Sequence, residues 1–107
     1  MISSKGWKAI VEKGRFNVVF SVSAQREIEK LEVEDALQLA KDIKHYLEQS
    51  PLPFGKTRIK RLADFDPPLY RLRSGDFRAY YRIVSQDVVI LAITHKKDSE
   101  KYIRKFK

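Results

Sequence analysis

Residues 69–102 read LYRLRSGDFRAYYRIVSQDVVILAITHKKDSEKY. Two short polar breaks, Ser74-Gly75-Asp76 and Ser85-Gln86-Asp87, divide the run into three strand-like pieces, 69–73, 77–84 and 88–94. Successive side chains of a strand point to opposite faces. That alternation puts Arg71, Arg73, Arg78 and Arg82 on one face of the first hairpin. Tyr70, Leu72, Phe77, Ala79, Tyr81 and Ile83 fall on the other. A sheet face carrying four guanidinium groups is costly unless something anionic binds there. The third piece is apolar on both faces, which places it inside the sheet. Asp98 or Ser99 then caps a last short helix carrying Tyr102.

Upstream, Phe16, Val18, Val19 and Phe20 form a β-rich run, and the spacing predicts a first strand over 15–22. Ser23 is the expected cap of a helix over 24–31. Val33, Ala36, Leu37, Ala40, Ile43 and Leu47 recur at helical spacing, so a second helix is expected over 33–49, buried along that stripe. Ser50-Pro51-Leu52-Pro53 stops it. Residues 54–68 read as a basic stretch and then a loop, with Asp64, Asp66, Pro67 and Pro68 as turn residues. The expected order is β-α-α-β-β-β-α. This is an α+β domain over 15–107, an antiparallel sheet with the two early helices on one face, preceded by an N-terminal extension, 1–14.

The chain has 107 residues, room for one domain and one modest core. It has no cysteine, so disulfides and thiolate chemistry are excluded. No apolar run reaches the ~18 residues of a membrane span, and charges interrupt the first residues where a secretion signal would lie. A cytoplasmic protein without a membrane partner is the expectation. The net charge of +8 is one-sided. Residues 1–55 balance eight Lys/Arg with eight Asp/Glu, whereas residues 56–107 hold fourteen against six. Such a field concentrates polyanions. Lys56, Arg58, Lys60 and Arg61 add a second basic run, either a patch for an RNA backbone or a solvated edge.

At LRSGDFRAYY, residues 72–81, the sequence resembles the RelE/ParE toxin superfamily of type II toxin–antitoxin systems. An aromatic residue, Tyr70, precedes the L-R-x-G-D-F-R pattern. A tyrosine follows it, then an apolar strand ending in the cluster His95-Lys96-Lys97, then the late Tyr102. The resemblance covers about residues 16–102. Its RelE-like members cut mRNA in the ribosomal A site, and its ParE-like members inhibit DNA gyrase. The retained cations resemble the RNase branch.

The resemblance implies a metal-independent endoribonuclease using 2′-OH attack, with no cofactor, and with mRNA, the ribosome and a cognate antitoxin as partners. The antitoxin would lay an acidic or amphipathic segment over the basic face or the helices. A ParE-like gyrase inhibitor, and an inactive homologue that only binds nucleic acid or antitoxin, stay open. The implied catalytic set is Arg71, Arg78, His95, Lys96, Lys97 and Tyr102. The implied RNA-binding set is Lys56, Arg58, Lys60, Arg73, Tyr80 and Arg82. Arg78 matches the phosphate-stabilising arginine. Tyr102 matches a tyrosine that contacts the nucleotide. Positions often lysine in RelE-like members are Leu69 and Arg71 here, and neither accepts a proton readily. His95 is the substitute that imidazole chemistry favours.

Overall fold

A computed structural model describes residues 16–53 and 58–105. The N-terminal extension and Lys56 lie outside the described residues. Strand β1 (Asn17–Phe20) leads into helix α1 (Val22–Glu29) and helix α2 (Val33–Asp42). A five-residue π-helical segment, Ile43–Leu47, continues α2. Strands β2 (Ile59–Leu62), β3 (Leu69–Ser74), β4 (Phe77–Val84) and β5 (Asp87–His95) follow. A 3₁₀ turn (Lys96–Asp98) then runs into helix α3 (Ser99–Arg104).

The five strands form one sheet in the order β1-β5-β4-β3-β2. The α+β class and the helix-on-sheet arrangement are as expected, with two differences. First, β1 pairs with β5 in parallel, so the sheet is mixed rather than wholly antiparallel. Second, the loop predicted over 54–68 contains β2. The tetrapeptide Ile59-Lys60-Arg61-Leu62 is too short and too charged to read as a strand. Its structure comes from pairing with β3 at the sheet edge, where a short, charged strand discourages further pairing.

The helix side of the sheet holds the main core. Leu72, Ala79, Tyr81, Val88, Ile90 and Ile93 of the sheet meet Ala24 of α1 and Leu39, Ile43 and Leu47 of α2 and its extension. The buried stripe of α2 differs from the predicted one. Ile43 and Leu47 are buried as expected, but Leu39 joins them, while Val33 and Leu37 are 73% and 58% exposed. The apolar residues fit two helical phases, and packing selects the one that the π segment carries onto the sheet. The opposite side holds a smaller cluster of Leu62, Leu69 and Tyr80, covered by Tyr102 and Ile103 of α3.

Helix α1 is capped by Ser21, not by Ser23. The Ser21 hydroxyl accepts from the Ala24 N–H at 3.1 Å and donates to the Leu91 carbonyl at 3.1 Å. The cap thus also binds the sheet, which Ser23 does not do. Beyond Ile90 the edge of β5 has left β1 behind. There Ser21 holds the Leu91 carbonyl, and the Glu27 carboxylate accepts the Ile93 N–H at 2.8 Å. Helix α1 therefore closes the part of the edge that β1 does not reach, next to the irregularity in β4–β5 pairing at Tyr80/Tyr81.

Both hairpin turns begin with a left-handed residue. Gly75 has φ +57° and Ser85 φ +57°. Positive φ at the first central position only is the pattern of a type II′ turn, which glycine meets without strain. Serine at the second turn carries a Cβ against that conformation. Ser85→Gly is expected to stabilise the domain by about 0.5–1 kcal/mol, seen as a rise of several degrees in thermal unfolding. A Tm at or below that of the parent chain counts against this assignment of strain.

Candidate active site

Register builds the cationic face. Arg73 stands directly opposite Arg78, Arg71 opposite Tyr80, and Lys60 of β2 opposite Arg71. Thr94 of β5 stands opposite Arg78. Directly opposed side chains have Cβ atoms about 4.5–5.5 Å apart, and like charges at that spacing repel. Partial burial, and then the fields of Arg71 and Arg73, push the Arg78 guanidinium below its usual range. Among the described residues, Arg71, Arg73 and Arg78 make no ion pair. Asp76, the nearest carboxylate in sequence, is held by Lys96 at 3.2 Å.

Arg78 is aimed by the turn that precedes it. Its Nη1 donates to the Gly75 carbonyl at 3.0 Å and to the Phe77 carbonyl at 2.9 Å. The other guanidinium nitrogens remain for an incoming oxyanion. Two buried donors of this face lack a hydrogen-bond partner: Arg71 Nε and the Tyr80 hydroxyl. Each such atom costs about 1–3 kcal/mol when left dry.

The remaining sequence-predicted residues divide. Arg71, Arg73, Arg78 and Arg82 share the face as alternation required, and β2 pairing adds Lys60, expected in a separate basic run. Tyr80 is on it but fully buried, with its ring 4.7 Å from that of Tyr102, so no base reaches it for stacking. Tyr102 is half-buried and offers its outer side alone. Arg58, expected in the same basic run as Lys60, lies off this face. Its guanidinium lies 5.6 Å over the ring of Tyr46, on the helix side.

His95 departs most from expectation. It stands opposite Phe77, one residue out of step with Arg78 and Thr94, and its ring meets that of Phe77 edge-on at 5.5 Å. Strand alternation thus puts it across the sheet from the arginines. Its Nδ1 accepts the Lys97 N–H at 3.2 Å, capping the 3₁₀ turn. That bond uses the Nδ1 lone pair for the cap. Lys96 is tied at the turn by its side chain and by its N–H to the Asp76 carbonyl, 2.7 Å. Lys97 is exposed and makes no ion pair among the described residues. Leu69, at the place of a family lysine, is fully buried. Among the described residues no cluster of three or more His, Cys, Asp or Glu could hold a metal, and no helix is long and apolar enough to cross a membrane.

Residues 18–100 match the family described as ParE toxin of type II toxin–antitoxin system, parDE. The chain belongs to the ParE toxin family. The toxin shares its fold with solved structures from the RelE side of the same superfamily. It is similar to a chain of the RelBE2 toxin–antitoxin complex of Mycobacterium tuberculosis, at 28% identity and TM-score 0.62, over 76% of this toxin and 91% of that chain. A chain of the archaeal RelE–RelB complex from Pyrococcus horikoshii shares 22% identity, TM-score 0.60, over 77% and 96%. A double arginine-to-alanine mutant of E. coli RelE, in the free state, shares 20%, TM-score 0.57, over 87% and 99%. No curated protein sequence matches.

Two side chains that tie the toxin's site to its scaffold are absent from the sequence-derived set. Ser74, at the end of β3, is buried and bonded to Asp42. Glu27 is bonded to β5. Alternation along LRSGDF places Ser74 on the apolar side, and a hydroxyl there was the available signal. Nothing in the local sequence marks Glu27 or Asp42.

The Tyr102 hydroxyl gives the site a pH dependence. Burial foremost, with Glu27 and Tyr80 nearby, pushes it up to about 12, against the opposing pull of Arg82. The unfolded chain releases this proton near pH 10, the ordinary tyrosine value. Between those values the unfolded state binds fewer protons, so the toxin loses stability as pH rises through that window. Denaturant midpoints should fall from about pH 9 to about pH 11, and less steeply in Tyr102→Phe. Parallel curves for the two proteins would show that Tyr102 does not titrate late.

Proposed function

We propose that this toxin is a ribosome-dependent mRNA endoribonuclease that cleaves by attack of the 2′-OH on the adjacent phosphate, neutralised by a cognate antitoxin. The observation that carries this reading is the row of unpaired guanidinium groups, Arg71, Arg73 and Arg78, on one sheet face with Lys60 beside it. Attack of the 2′-OH adds charge to the phosphate oxygens in a pentacoordinate transition state. A planar fork matches those oxygens through two parallel hydrogen bonds. Arg78 is held by the turn carbonyls before substrate arrives, so little reorganisation of that donor is needed as charge develops. The 2′-oxygen bonds to phosphorus, the 5′-oxygen leaves, and the products are a 2′,3′-cyclic phosphate and a 5′-OH. Lys97, exposed in the 3₁₀ turn and without an ion pair among the described residues, is the proposed acid for the leaving oxygen. The 2′-OH proton passes to solvent or to an acceptor supplied by the ribosome, because His95 is committed to the 3₁₀ cap.

The antitoxin reading is supported by the M. tuberculosis and P. horikoshii structures, both toxin–antitoxin complexes. The chemistry of the face calls for an acidic segment. A second reading, DNA gyrase inhibition without cleavage, is favoured by the ParE family match and by the distance of His95 from the arginines. Primer extension on mRNA in a purified translation system separates the two. Cuts in the A-site codon that need ribosomes are the expected result. Intact mRNA together with loss of gyrase supercoiling would transfer the assignment to the second reading.

A further inference from the structure

The hairpin that presents Arg73 and Arg78 is under electrostatic load, because these two residues are directly opposed at its end. Something must hold that end closed and in one place. On the reverse side of the sheet, the hydroxyl of buried Ser74 donates to Asp42 Oδ2 at 2.7 Å. Ser74 follows Arg73 in the chain and pairs with Phe77, the residue before Arg78. The other oxygen of Asp42 accepts from Gln38 Nε2 at 3.1 Å. Asp42 is also the last α-helical residue before the π segment. A hydrogen bond from a hydroxyl to a carboxylate is charge-assisted and short, among the stronger kinds.

We infer that Asp42 and Ser74 are positioning residues, a tether from helix α2 to the turn that sets the placement of Arg78 for phosphate contact. The inference rests on the ribonuclease reading for its consequence, though not for its geometry. The line of action is continuous. Asp42 fixes Ser74, Ser74 fixes the turn through its pairing with Phe77, and the Gly75 and Phe77 carbonyls orient Arg78 Nη1. Near the Gly75 Cβ position there is no neighbouring atom within 4 Å, so packing on that side does not hold the turn. From the β5 side the Lys96 N–H bonds the Asp76 carbonyl at 2.7 Å, which fixes the far residue of the turn but not Ser74 or the Gly75 carbonyl, and the Lys96–Asp76 ion pair, 56% and 63% exposed, adds little constraint.

The test compares Ser74→Ala, Ser74→Thr and Asp42→Asn with the parent toxin in single-turnover cleavage of ribosome-bound mRNA, alongside amide hydrogen exchange. Ser74→Ala should lower kcat at least about tenfold with little change in KM, since misplacing a catalytic group costs turnover more than binding. Its amides at residues 75–78 should exchange faster while those at the centre of β4 and β5 do not. Ser74→Thr and Asp42→Asn keep a donor or an acceptor and should recover most of kcat. Parent-like cleavage and exchange in Ser74→Ala would overturn the tether. So would faster exchange throughout the core, which marks a general loss of stability. If the parent toxin itself does not cleave, the ribonuclease reading fails and exchange alone decides. Acceleration confined to residues 75–78 then upholds the tether, and no change there overturns it.

Discussion

Arg78→Ala should reduce mRNA cleavage by about a hundredfold or more while the domain stays folded. Removing one preorganised donor to a developing oxyanion costs about 10²–10³ in turnover. In the proposed mechanism Arg71 and Arg73 share the face with Arg78 and face the same phosphate. Folding loses little by comparison. The two bonds from Nη1 to the turn carbonyls disappear, but so does the repulsion from Arg73 and Arg71. Arg78→Lys retains a charge without the fork, so an intermediate rate is expected. The measurement is single-turnover cleavage on programmed ribosomes, with far-UV circular dichroism to check the fold. Full cleavage by a folded Arg78→Ala would remove Arg78 from the mechanism and leave Arg71 and Arg73 to account for it.

Tyr81→Ala should lower stability more than any substitution on the cationic face. Tyr81 is fully buried near the centre of β4, stacked on Tyr70 at 5.5 Å, and its hydroxyl donates to the Pro51 carbonyl at 2.6 Å. Burial, with Tyr70 nearby, raises its pKa. Cutting a buried aromatic side chain to alanine costs about 3–5 kcal/mol, a large share of the roughly 5–15 kcal/mol that holds a domain of this kind. Tyr81→Phe isolates the hydrogen bond, and leaving the Pro51 carbonyl unsatisfied costs about 1–3 kcal/mol. Urea unfolding midpoints check both values. A Phe variant as stable as the parent would mean that water replaces the hydroxyl at Pro51.

Period-two alternation made the hairpin legible. Arg71, Arg73, Arg78 and Arg82 lie on one face because the pleat requires it, and the turn residues of 74–76 fixed the register. Where the structure departs from the sequence reading, contacts distant in sequence are responsible. Strand β2 exists through its pairing with β3. The buried stripe of α2 was set by the sheet, since Val33–Leu37 and Leu39–Ile43 offered competing helical phases. Ser21 prevailed over Ser23 as a cap because it also reaches the Leu91 carbonyl. Within the site, the sequence places His95 beside two lysines but does not say on which side of the sheet its ring falls. One residue of register carries it away from the arginines. Tyr80 lay on the correct face, yet α3 covers it, and coverage by a distant helix has no local signature.

The parallel β1–β5 pair has a consequence for how the toxin is made. Asn17 bonds Asp87 across seventy residues of chain. Strand β1 therefore has no partner until β5, the last of the described strands, has been translated. The hairpins of β3, β4 and β5 can form locally as they emerge, because each joins neighbours in sequence, whereas the helices dock on a sheet whose outer strand is still waiting. A ribosome producing this toxin holds an open, unfinished sheet for most of its synthesis. The cationic face is completed at the same late moment, when β5 brings Thr94 opposite Arg78. The face that carries the arginines is thus whole only once β5 has joined the sheet.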